Sequence, residues 1–314
     1  MSISAKKTPN KGADYLLNRM ISDLIGTLGA FDADATEMAT DATFDNLGSV
    51  YPLIGIKGSS KELIGTTVSI GGGYLLAAQH SVKGYLKPYT SYGEMTSPGL
   101  AVAIGDGEFV QQSETLQLQI INDFTAEGAD LVLLRINSIR DCQKLKSARL
   151  PAFEPATLSS ELSSQINHFG KGALFVGFGA MSRSGISQKI QKNDIATIIC
   201  SKDLAKQTIS QLFTESRDSL SAGYPNKITA GKYKHVFLTM GSSQRYPYSN
   251  DSGGGLFVFH EGKFYLVGLH FRAIKFGNKN PVTYPLFVNL LSIGPSIHKL
   301  IQKDRVAFHC DNPD

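Results

Sequence analysis

Apolar positions along the chain follow two kinds of spacing. Leu17, Met20, Ile21, Leu24, Ile25 and Leu28 recur every three or four residues, which lines one face of a helix and predicts an amphipathic α-helix ended by Gly29. The other face carries Asp14, Arg19 and Asp23, a mixture of signs that suits a helix packed on a protein body rather than a membrane anchor. Near the other end, Pro295 stands where a first helical turn would begin, and Ile297, Leu300 and Ile301 share a face, predicting a second helix that starts at Gly294. Between these helices the apolar runs are short. Val50 to Ile56, Tyr74 to Ala78, Leu131 to Ile136, Ala173 to Met181, Lys234 to Met240 and Phe264 to Phe271 are strand-length segments, and none approaches a membrane span. In the run after the glycine turn Gly71-Gly72-Gly73, Tyr74 and Leu76 fall on one strand face.

The segment from Phe31 to Asn46 holds Asp32, Asp34, Glu37, Asp41 and Asp45 and no basic residue, which marks residues 1–47 as a helix followed by an acidic linker. A chain of 314 residues can bury a substantial core, enough for one large β-rich unit or two smaller ones. The net charge of +4 is small and no Lys/Arg stripe interleaves with aromatics, so a nucleic-acid partner is not expected. The opening MSISAKKTPN lacks the apolar core of a secretory signal, and Asp14 and Asp23 are foreign to a mitochondrial transit peptide; the expected location is cytoplasmic. Cys142, Cys200 and Cys310 have no CxxC or metal spacing and read as free thiols of a reducing compartment. His168, His235, His260, His298 and His309 show no paired spacing either, so neither a metal nor a cofactor is expected.

Candidate chemistry centres on Tyr248-Ser249-Asn250-Asp251-Ser252-Gly253-Gly254-Gly255-Leu256. A serine hydroxyl is a poor nucleophile at neutral pH, so Ser252 needs a base and a carboxylate to orient that base. His80 ends the apolar run Tyr74-Leu75-Leu76-Ala77-Ala78, where small residues let the chain turn and project the imidazole into a cleft. Asp130 leads the apolar run Leu131 to Ile136, a position where a carboxylate needs donors that the His80 ring N–H can supply.

These three segments resemble the DSGG, TAAHC and DIALLRL boxes of chymotrypsin-like serine proteases. His80, Asp130 and Ser252 also occur in that family's order, unlike the orders of subtilisins and α/β-hydrolases. Ala173 to Met181 resembles the strand ending in GWG that opens the family's second barrel. Lys234 to Met240 and Phe264 to Phe271 resemble the strands before and after the nucleophile loop, so the likeness covers roughly residues 48 to 304. It implies an all-β fold of two antiparallel Greek-key six-stranded β-barrels with the active site in the cleft between them, besides the N-terminal and C-terminal helices. Residues 48–155 would form the first barrel with His80 and Asp130, residues 156–304 the second barrel and C-terminal helix with Ser252, and residues 305–314 a tail. The resemblance implies a serine endopeptidase acting on polypeptides through an acyl-enzyme, with the backbone N–H groups of Asn250 and Ser252 as the oxyanion hole.

The chain departs from the family pattern at several places. The disulfide that staples the family's histidine loop is absent, because Ser81 follows the histidine and Ile70 precedes the glycines. No IVGG start is present, so the new N-terminal amine that pairs with the residue matching Asp251 in activated trypsin-like enzymes is not expected; an internal group such as Arg245 or a nearby lysine would take its place in a constitutively formed site. Asn250 stands where the family has glycine; it keeps the N–H and tolerates left-handed backbone better than other side chains. Tyr246 stands where trypsins carry their specificity aspartate, which argues against cleavage after Lys or Arg. Gly268-Leu269-His270 resembles the GxH of glutamyl endopeptidases and viral 3C-type proteases, implying that His270, with Tyr246 and Pro247, lines the S1 pocket and reads Glu or Gln. Two other readings stand beside the endopeptidase: a protease-fold binding or regulatory protein with a collapsed oxyanion loop, and an effector delivered into another cell's cytosol.

Overall fold

The computed structural model describes residues 45–85, 89–91, 94–96, 99–105, 109–179, 190–215, 235–240, 250–276 and 282–311. The expected N-terminal helix at 17–28 and most of the acidic linker lie outside these residues, as do Tyr246 and Pro247. Strands β1 (Val50–Lys57), β2 (Ser60–Gly71) and β3 (Tyr74–Ala77) are followed by a one-turn helix α1 (Gln79–Val82) and a small hairpin, β4 (Tyr89–Ser91) and β5 (Glu94–Thr96). Then come β6 (Gly99–Ile104), β7 (Glu114–Asp123) and β8 (Val132–Ile136). Helix α2 (Ala156–Phe169) leads to β9 (Lys171–Gly179) and β10 (Gln191–Ile199), and helix α3 (Lys202–Glu215) to β11 (Val236–Met240). The chain closes with β12 (Gly255–His260), β13 (Lys263–Phe276), β14 (Val282–Asn289) and helix α4 (Leu290–Asp311).

The strands close into two antiparallel barrels of six, ordered β1-β2-β3-β8-β7-β6 and β9-β10-β11-β14-β13-β12. Counted in chain order, both close as first, second, third, sixth, fifth, fourth, a path in which the fourth strand crosses over to pair with the first. This is the two-barrel, all-β class that the sequence implied. Closure removes the unpaired strand edges that would otherwise invite association.

Period-two patterning explains the barrel walls. In β7 Leu116 and Leu118 point inward while Gln117 and Gln119 point out. The inward residues build the first core with Leu53, Leu75, Val102, Val132 and Leu134, and the second core gathers Phe175, Ile195, Phe237, Leu256, Val267 and Phe287. Strand β3 is buried on both faces, Tyr74 and Leu76 on one and Leu75 on the other.

Three elements differ from the sequence expectation. Helix α2 was not expected, although Leu158, Leu162 and Ile166 make a four-residue stripe that packs into the second core. Helix α3 was likewise not expected. Helix α4 begins at Leu290, not at Gly294, and runs to Asp311 through most of the stretch expected as a tail. Asn289 Oδ1 accepts the Leu291 N–H at 3.0 Å, so the N-terminal signal is asparagine capping and Pro295 sits inside the helix. Gly294 packs against the 3₁₀ turn Pro151–Phe153: a Cβ there would lie 2.7 Å from the Ala152 Cβ. No helix among the described residues is long and apolar enough to cross a membrane.

Candidate active site

Strand β3 delivers His80. After Ala77 and Ala78, both fully buried, the chain turns into α1, and the imidazole emerges 44% exposed. Asp130 lies two residues before β8, not at the strand's start, in a loop anchored by the fully buried Phe124, whose N–H donates to the Leu131 carbonyl at 3.0 Å. Its carboxylate engages the same residue twice: Oδ1 accepts the His80 backbone N–H and Oδ2 faces His80 Nδ1, each at 3.0 Å. A carboxylate only accepts, so in the neutral ring Nδ1 carries the proton and Nε2 is the acceptor. Ser252 Oγ lies 3.0 Å from that Nε2, bridging a sequence separation of 172 residues. The expected triad residues are therefore in one hydrogen-bonded row, two from the first barrel and one from the loop that enters β12 of the second.

The loop that carries Ser252 is pinned at every carbonyl from Asn250 to Ser252. The Asn250 carbonyl accepts the Thr66 hydroxyl at 3.0 Å, the Asp251 carbonyl accepts the Gly254 N–H at 2.9 Å, and the Ser252 carbonyl accepts the Thr66 N–H at 2.8 Å. Across a trans peptide the C=O and N–H point in opposite directions, so the Ser252 N–H faces away from the turn that holds the Asp251 carbonyl. Asn250 adopts φ 72°, the left-handed conformation that glycine takes without cost and that asparagine accepts among the other residues. Gly253, at φ 93°, is required by contact as well, because a Cβ there would collide with the Thr66 carbonyl. The Asp251 residue is fully buried, and its carboxylate lies so close to Gly177 that a Cβ on that residue would stand 2.6 Å from Oδ1.

His270 stands on β13, where Phe271 is bulged between the pairs His270↔Phe287 and Arg272↔Leu286. His270 lies in a run from Tyr265 to Phe271 that is buried on both faces of the strand. The ring is 3% exposed, packed edge-on against Phe175 and Phe287 at centroid distances of 5.6 and 5.3 Å. Neither ring nitrogen has a hydrogen-bond partner among the described residues. Burial lowers its pKa to about 3, outweighing the nearby backbone of Asp251 and Arg272, which favours the charged form, so the imidazole is neutral at physiological pH.

Cys142 and Cys200 are free, and burial raises both thiols, Cys200 to about 11, which leaves them poor nucleophiles. No group of three or more His, Cys, Asp or Glu side chains among the described residues is placed to hold a metal ion. Thr66 and Gly177, which touch the loop that carries Ser252, were not singled out in the sequence. Compared with known proteins, the chain matches no family model, and no curated protein matches it significantly.

Proposed function

We propose that this protein is a serine endopeptidase of chymotrypsin type, with Ser252 as nucleophile, His80 as general base and Asp130 as the group that orients His80. The observation that supports it is the row Asp130 Oδ2, His80 Nδ1, His80 Nε2, Ser252 Oγ, with 3.0 Å at each hydrogen bond. Ser252 attacks the scissile carbonyl as its hydroxyl proton passes to His80 Nε2, and the imidazolium is stabilised by Asp130. The tetrahedral oxyanion is held by the N–H groups of Asn250 and Ser252. His80 then returns the proton to the leaving amine, and water hydrolyses the acyl-enzyme by the same relay. No cofactor enters this scheme.

The neutral state of His270 refines the specificity. A neutral imidazole donates an N–H to the amide oxygen of glutamine, whereas glutamate would call for the charged ring that burial disfavours. On the GxH resemblance we place His270 in the S1 wall, and its neutral state leads us to expect Gln over Glu before the scissile bond. The free thiols Cys142 and Cys200 fit a reducing compartment such as the cytoplasm.

Incubation with a denatured proteome, followed by sequencing of the new termini, tests both points. Cuts enriched after Gln, and lost in Ser252→Ala, are expected. Cuts mainly after aromatic or aliphatic residues would remove His270 from the pocket, and Ser252→Ala cleaving at the wild-type rate would overturn the mechanism.

A further inference from the structure

Thr66 stands in β2 of the first barrel, fully buried, and its two hydrogen-bonding ends reach the nucleophile loop of the second. Its backbone N–H donates to the Ser252 carbonyl at 2.8 Å and its hydroxyl donates to the Asn250 carbonyl at 3.0 Å, 184 residues away in sequence. The same Oγ1 accepts the Phe178 N–H from β9 at 2.9 Å. That third contact settles where the hydroxyl proton goes. Phe178 N–H can only donate, so the Thr66 O–H is turned toward Asn250 and cannot rotate away without leaving a buried donor unpaired.

Resting on the endopeptidase reading, we infer that Thr66 is a positioning residue for the oxyanion hole, holding the Asn250–Ser252 loop in its working conformation from the opposite barrel. Thr66 fixes the peptide planes on either side of the one that carries the Ser252 N–H. It also compensates for a left-handed residue that is not glycine: Asn250 at φ 72° has a competing preference for ordinary backbone, and the Thr66 hydroxyl holds the carbonyl that would swing with it. This device is internal to the chain and needs no liberated N-terminal amine. Hydrogen bonds placed before the reaction cost no reorganisation as charge develops on the substrate oxygen, so the effect belongs in kcat.

The test is a series at this one position, assayed on one peptide substrate, with kcat expressed per folded protein from circular dichroism. Thr66→Val keeps the shape and removes the hydroxyl. It should lower kcat by about ten- to a hundredfold, below the hundredfold to thousandfold cost of losing an oxyanion donor outright, with KM within about threefold of wild type. Thr66→Ser restores the hydroxyl and most of kcat. Thr66→Cys, whose thiol is a weak donor, should fall between and reports even if the valine variant does not fold. Valine or cysteine variants with wild-type kcat, serine as impaired as valine, or a loss confined to KM would overturn the inference while leaving the endopeptidase reading intact. A folded wild-type protein that cleaves nothing would overturn both.

Discussion

His270 is the residue whose environment has the most consequence for pH. Its folded pKa, about 3, lies below the 6.5 of an exposed histidine, so between these values the unfolded chain binds a proton that the native protein refuses. Stability is therefore lost as pH falls from 6.5 toward 3. At pH 5 the loss from this one group is roughly 2 kcal/mol. His270→Phe keeps an aromatic ring between Phe175 and Phe287 and cannot titrate, so its urea-denaturation stability should fall less steeply than wild type between pH 7 and 5. Equal slopes would mean that His270 is not neutral in the fold. The three residues proposed as a triad were legible in the sequence because each sits in a short box of small and apolar neighbours. Thr66 was not: in Gly65-Thr66-Thr67-Val68-Ser69 it reads as an ordinary strand position, and only closure of both barrels brings it to Asn250 and Ser252.

At the scale of elements, helix α4 is tied to the outside of the first barrel by one carboxylate. Asp304 Oδ2 accepts the Tyr74 hydroxyl at 2.7 Å and the Arg135 guanidinium at 2.6 Å, with the Arg305 guanidinium 5.8 Å from the Tyr74 ring centroid. Burial first, and the Asp304 carboxylate second, push the Tyr74 hydroxyl up to about 12, so it stays a donor throughout the usual pH range. Asp304→Asn removes the charge and should lower unfolding free energy by about 1.5–3 kcal/mol in urea denaturation, the range for a hydrogen bond to a charged group. A change below about 0.5 kcal/mol would assign the helix's attachment to its apolar face instead. The beginning of α4 was misread because Gly294-Pro295 carries the usual signature of a helix start. In the fold Gly294 is demanded by close packing on Ala152, while Asn289 supplies the cap. The stripe of Leu158, Leu162 and Ile166 in α2 was readable as a helix, but the barrel resemblance supplied no element there.

Across the whole molecule, the two barrels share one cyclic strand order although no repeat is evident in the sequence. Barrel closure asks only for alternating apolar faces and turn residues, which many sequences satisfy, so topology can recur where identity does not. The barrels meet along β1, β2 and β9, and the candidate site draws its parts from both sides: His80, Asp130 and Thr66 from one, Asn250, Ser252 and Gly177 from the other. Catalysis on this account depends on the register between barrels as much as on any single side chain. The most direct test is covalent labelling of the folded protein by a fluorophosphonate, read by intact mass and peptide mapping, because the reagent needs both an activated serine and a formed oxyanion hole. A single adduct on Ser252, abolished in Ser252→Ala and slowed at least about a thousandfold in His80→Ala, is the expected result. A folded wild-type protein that stays unlabelled, or one labelled equally well without His80, would contradict the assembled triad.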